Sequence, residues 1–172
     1  MDVKPPEVPV GQLAGALLST LPRLGIFALS FTIVGYYWVV DHLIFGYIRA
    51  ADRGLLWMTL LFLFTIVVLP FSTAVLGRYP LAAPALVLYG ANLAACSISL
   101  GLTWLYALRK QLTAPLELPQ RRYIGLRFVL APSLALIAVA FASFVPLVSL
   151  VLYVALPLMY ALTSGERRSP SR

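Results

Sequence analysis

Residues 54–77 read GLLWMTLLFLFTIVVLPFSTAVLG, an uninterrupted apolar run bounded by Arg53 and Arg78, and this run decides the fold class. As a helix it would reach roughly 36 Å, enough to cross the ~30 Å hydrocarbon core of a bilayer. It lacks the alternation of a barrel strand. A helix satisfies every backbone N–H and C=O within itself, which lipid requires.

Similar runs lie on both sides. A first span is expected over 24–48, uncharged from 24 to 40, and a third over 82–108, within the uncharged stretch 79–108. Residues 128–165 carry no charge at all. As one helix they would extend about 57 Å, nearly twice the core thickness, so the stretch must double back. The turn is predicted at Ser143-Phe144-Val145-Pro146, because proline lacks an N–H and disfavours helix at the residue before it. Two more spans follow, 124–142 and 147–163. Residues 1–23 read as a proline-rich extracytoplasmic lead-in, with a short helix over 12–21 ended by Pro22. Residues 164–172 form a polar tail. The expectation is an all-α membrane protein, a single domain over 1–172 built as a polytopic bundle of five transmembrane helices.

Composition agrees. In these 172 residues, 61% are hydrophobic and 11% charged, and the mean hydropathy is +0.92. Soluble domains carry roughly 25% charged residues. The net charge of +7 does not imply a nucleic-acid partner, because the cations lie between hydrophobic spans rather than on one basic face. They are sorted by side. Arg49, Arg53, Arg109, Lys110, Arg121, Arg122, Arg127, Arg167, Arg168 and Arg172 fall on one face of the bundle, and Lys4, Arg23 and Arg78 on the other. Excess Lys and Arg mark the cytoplasmic side. The C-terminus is therefore expected in the cytoplasm of a cell (plasma or inner) membrane protein, with the N-terminus outside. Five spans with this orientation lead us to expect a further span ahead of Met1.

Small residues recur on two helical faces: Gly90, Ala94, Ser97 and Gly101 in the third span, and Ala131, Ala135, Ala138 and Ala142 in the fourth. Such stripes let helix backbones approach closely in lipid. Cys96, the single cysteine, offers no disulfide and reads as a packing residue.

The main exception to apolar filling is Asp41-His42 near the end of the first span, with Trp38 one helical turn earlier. Two readings stand side by side. An ionisable residue within a span marks a functional site, whereas Trp, Asp and His at a headgroup boundary are an ordinary interfacial set. Catalysis finds no support, since one His without paired carboxylates, a Cys–His pair or a Gly-rich phosphate loop assembles no reaction centre. Val87-Leu88-Tyr89-Gly90 is like the end of a TVGYG selectivity filter only in letters, because it sits in a helical run without a turn signal.

Residues 30–79 carry a more specific pattern: Ser30-Phe31, Gly35, Trp38, His42, Asp52-Arg53, Leu55-Leu56-Trp57, Leu60-Leu61-Phe62-Leu63, and a P-F-x-T-x-x-L-G-x-Y ending from Pro70 to Tyr79. In this the chain resembles the second and third helices of the transmembrane protein 175 (endosomal/lysosomal potassium channel) family and its bacterial relatives. Tyr89-Gly90 and the stretch from Trp104 to Ala107 continue the likeness. Asp41-His42 stands where the family has two histidines, and Thr59 where it has Asn. The family's first helix carries R-x-x-x-F-S-D and lines the pore, and no such motif occurs in residues 1–172.

The resemblance implies a six-span subunit, assembly as a homotetramer, passive conduction of K⁺ as the transported ion, and no cofactor. It also implies that Trp38, Asp41, His42 and Thr59 form a polar helix-contact cluster that receives the R-x-x-x-F-S-D motif. On this reading the chain lacks the pore-lining helix and is incomplete as a channel. The alternative expectation is a non-conducting membrane interaction or scaffold protein whose small-residue faces bind a partner.

Overall fold

The computed structural model describes residues 9–163; residues 1–8 of the lead-in and the 164–172 tail lie outside the described residues. A 3-10 turn, Val10–Gln12, leads into five α-helices: α1 (Leu13–Phe45), α2 (Arg53–Arg78), α3 (Ala83–Arg109), α4 (Leu118–Phe141) and α5 (Pro146–Thr163). Among the described residues the sole β pairing is an isolated bridge between Ile48 and Thr113. Among the described residues, four helices are long and apolar enough to cross a membrane: Leu24–Phe45 within α1, then α2, α3 and α4, while the apolar stretch Pro146–Leu156 of α5 is shorter.

α1 departs from the expected lead-in. Instead of a short helix broken at Pro22, one continuous helix runs from Leu13 to Phe45. A proline inside a helix removes one backbone bond, but breaking the chain there would strand several N–H and C=O groups beside the membrane. α2 and α4 likewise continue through Pro70 and Pro132.

The helix ends follow local chemistry. Asp52 caps α2, its Oδ1 accepting from the Leu55 N–H at 2.7 Å. α4 starts at Leu118 rather than Ile124, because Glu117 and Gln120 form a capping box and Pro119 fits the first turn. Pro146 opens α5 after the turn that follows Phe141.

α3 is the centre of the bundle. It packs on α2 and α4 above all, α4 packs on α5, and α1 lies against α2 with lesser contacts to α5 and α3. The inward stripe of α1 is Ser30, Ile33, Tyr37, Val40 and Ile44, all buried at alternating spacings of three and four. On α4 the buried stripe is Ala131, Ala135, Ala138 and Ala142.

Candidate functional site

The outward face of α1 carries Phe27, Phe31, Trp38, His42 and Phe45, all exposed. Trp38, 65% exposed, stacks on the His42 ring one turn later, with centroids 5.7 Å apart and planes 16° from parallel. That arrangement follows from their i, i+4 spacing on one helix. Asp41 beside them is half-buried, and its Oδ1 is shielded from solvent without a hydrogen-bond partner among the described residues. A buried carboxylate oxygen left without a donor is costly. The group therefore presents an aromatic face on the exposed side of α1, beside a carboxylate oxygen that is shielded from solvent and left without a donor among the described residues.

Thr59, the fourth residue expected in this group, bonds within its own helix. It is half-buried on α2, and its hydroxyl donates to the Leu55 carbonyl of its own helix at 3.0 Å. A short hydroxyl on a helix reaches back to the carbonyl four residues earlier more readily than across to a neighbour.

The two small-residue stripes are used inside the subunit. A Cβ at Gly90 would collide with the Tyr153 hydroxyl of α5 and with Val139 of α4, and one at Gly101 would rest 3.4 Å from Phe128 of α4. Ala94 is buried. Ser97 lies 2.8 Å from the Tyr37 hydroxyl of α1, which donates to the Leu93 carbonyl at 2.8 Å. The α3 stripe thus touches three different helices rather than one. On α4, Ala138 leaves its carbonyl open to the Ser149 hydroxyl of α5, which donates at 2.6 Å.

The structure also assembles a buried polar seam that was not singled out in the sequence. Tyr89, Asn92, Cys96, Ser99 and Thr103 recur at spacings of three and four along α3, and all are buried. Asn92, the chain's single asparagine, donates from Nδ2 to the Thr65 carbonyl at 2.9 Å and accepts from the Ser72 hydroxyl at 2.9 Å. Thr73 donates to Ser30 at 2.8 Å, and Ser30 lies 3.0 Å from the Tyr89 hydroxyl, linking α2, α1 and α3. Tyr153 of α5 donates to the Leu86 carbonyl at 2.7 Å. The signal was present as a stripe of polar residues within an uncharged run, since polar side chains in lipid face the bundle interior and bond across helices.

At the basic end, Asp52 accepts at Oδ2 from the Tyr106 hydroxyl at 2.9 Å while Oδ1 caps α2. The Leu55 N–H chiefly holds its carboxyl below the usual carboxylate range, with the Tyr106 hydroxyl and the Lys110 charge adding to it against partial desolvation. Among the described residues no three His, Cys, Asp or Glu side chains converge on a metal-sized site. The arrangement holds helices together and leaves one face of α1 exposed.

A family model described as endosomal/lysosomal potassium channel TMEM175 matches residues 1–70. A potassium channel of Streptomyces collinus is 34% identical over 80 residues, covering 46% of this chain and 39% of that one. A potassium channel of a Chryseobacterium species is 30% identical over 93 residues, covering 54% of this chain and 48% of that one. The chain thus spans less than half the length of these curated relatives. Among solved structures, the lysosomal potassium-selective channel TMEM175 homolog of Chamaesiphon minutus superimposes with a TM-score of 0.79 at 25% identity, over 95% of this chain and 86% of that one.

Proposed function

From the similarity of this chain to the endosomal/lysosomal potassium channel TMEM175 family and to a solved homolog of it, we propose that it is a member of that family and a subunit of a channel passing K⁺ passively across a membrane. The family is one of ion channels, not enzymes. The subunit acts as a homotetramer, lies in the cell membrane with several spans, and keeps its C-terminus in the cytoplasm.

One observation carries the finer reading. The Trp38–His42 stack stands on the exposed side of α1, where a helix bearing R-x-x-x-F-S-D would find a ring face for its cation, and beside it lies the half-buried Asp41, whose shielded Oδ1 has no donor among the described residues. Residues 1–172 do not contain that motif, and conduction requires a helix that does. The competing reading as a non-conducting scaffold loses support, because the small-residue faces it would use are engaged within the subunit.

Potassium flux into liposomes tests this, comparing residues 1–172 alone with the same chain extended by a helix carrying the motif. Flux is expected only from the extended form. Flux from residues 1–172 alone would overturn the account of the pore. Labelling of intact cells at positions 1 and 172 tests the orientation, with opposite sides expected.

A further inference from the structure

Two connections at the basic end are bonded to each other. The Arg49 N–H donates to the Leu112 carbonyl at 2.8 Å, and the Ala114 N–H donates to the Tyr47 carbonyl at 2.8 Å, around the Ile48–Thr113 bridge. The Tyr106–Asp52 bond adds a second tie, bringing the last turn of α3 against the residue that caps α2. Backbone pairing therefore gathers four exposed cations at one corner: Arg49, Arg53, Arg109 and Lys110.

The carboxylates nearby offset them only in part. Residues 46–53 and 109–122 hold only two, Asp52 and Glu117. Asp52 spends both oxygens on the Leu55 N–H and the Tyr106 hydroxyl, and Glu117 is engaged in the capping box of α4. Below this corner the exposed ridge of α2 descends through Trp57, Leu60, Phe64 and Val67, with Trp57 one turn from Arg53 on the same face. A cationic corner above an apolar ridge matches a molecule with an anionic head and an acyl tail.

We propose that Arg49, Arg53, Arg109 and Lys110 form a preorganised site for the phosphate of an anionic phospholipid, whose acyl chain lies along the outer ridge of α2. Guanidinium groups bind phosphate oxygens in pairs, and the bonded loops remove part of the ordering cost. This goes beyond the general attraction of basic loops to membranes, because it assigns the binding to one corner. It does not depend on whether the chain conducts.

The test uses the exposed Trp57 as reporter, in a W38F/W104F background that leaves it the single tryptophan. The full chain is reconstituted in mixtures of phosphatidylcholine and phosphatidylglycerol, with one or the other brominated, and tryptophan quenching gives the relative affinity. Protein with the corner intact should prefer phosphatidylglycerol about fivefold or more, on the scale of one or more cation–headgroup contacts. The R49Q/R53Q/R109Q/K110Q variant should fall close to no preference, whereas R121Q/R122Q, neutralised at the start of α4, should keep most of it. Should the fourfold variant fail to fold by circular dichroism, R49Q/R109Q replaces it with a partial loss expected. An unchanged preference in the corner variant, or an equal loss in R121Q/R122Q, would overturn the proposal in favour of diffuse surface charge. Loss of the preference on adding inorganic phosphate at matched ionic strength would also overturn it, assigning the corner to soluble phosphate compounds.

Discussion

The Tyr106 hydroxyl donates to Asp52 at 2.9 Å, so the last turn of α3 holds the residue that caps α2. Gly54 makes room for this bond, since a Cβ there would run into the Tyr106 ring and hydroxyl. Asp52→Ala, Tyr106→Phe and Gly54→Ala should each lower the melting temperature in detergent. Because the first two act through one bond, the double variant should lose less than the sum of the single losses. Additive losses would show that the two residues act independently.

The same carboxylate makes a pH prediction. Its folded pKa lies below its unfolded value of about 3.9. Its contribution to stability is therefore complete well above pH 4 and is lost as the pH falls through the folded value. The gap in melting temperature between wild type and Asp52→Asn should be constant near pH 6 and shrink on acidification toward pH 3. A gap that widens with acid would contradict the assignment.

Gly90 and Gly35 should respond oppositely to alanine. At Gly90 the new methyl meets Tyr153 and Val139, whereas at Gly35 nothing lies within 4 Å. Gly90→Ala should cost roughly 1–3 kcal/mol by overpacking, and Gly35→Ala should be neutral or stabilising by up to about 1 kcal/mol. Equilibrium unfolding in mixed micelles separates the two.

Asn92→Leu removes the bonds to Ser72 and the Thr65 carbonyl together. Cross-helix bonds in membranes average about 0.6 kcal/mol, so the loss should be on the order of 1 kcal/mol rather than a collapse of the fold. Asn92→Ala should cost more, because it leaves a cavity as well as unbonded groups. Reversible unfolding of the two variants gives the order.

Gln111 has φ of 56° just beyond α3, where the Leu112 N–H bonds back to the Ala107 carbonyl at 2.9 Å. This left-handed turn aims the chain into the Ile48–Thr113 bridge. Side chains with a Cβ pay for that conformation, and glycine does not. Gln111→Gly should raise stability by roughly 0.5–1 kcal/mol, read as a higher melting temperature, and should not alter the bundle.

Much of the architecture was legible one segment at a time. The uncharged run at 54–77 became α2, and α3 closely follows the apolar stretch near 82–108. The 128–165 run doubles back just before Pro146. Pro22 misled, because its intrinsic tendency to break a helix is weaker than the cost of leaving backbone groups unbonded beside lipid. The small-residue stripes were read as faces, but their partners were not, since spacing identifies a face without naming what meets it. The polar seam through Asn92 is not legible in the sequence, because each member is a minor interruption of an apolar run.

The sequence by itself determined that this chain is made of lipid-compatible helices, where their charged ends lie, and which family its 30–79 pattern resembles. Those properties depend on local composition and period, which every residue carries wherever its neighbours are. Only the tertiary structure decided that Asp41 is left with an unpartnered oxygen while Thr59 turns to its own helix. It alone brought Asp52 to Tyr106 and Arg49 to Leu112. Bonds between distant residues depend on which helix packs beside which, and the apolar runs are too alike to specify that pairing.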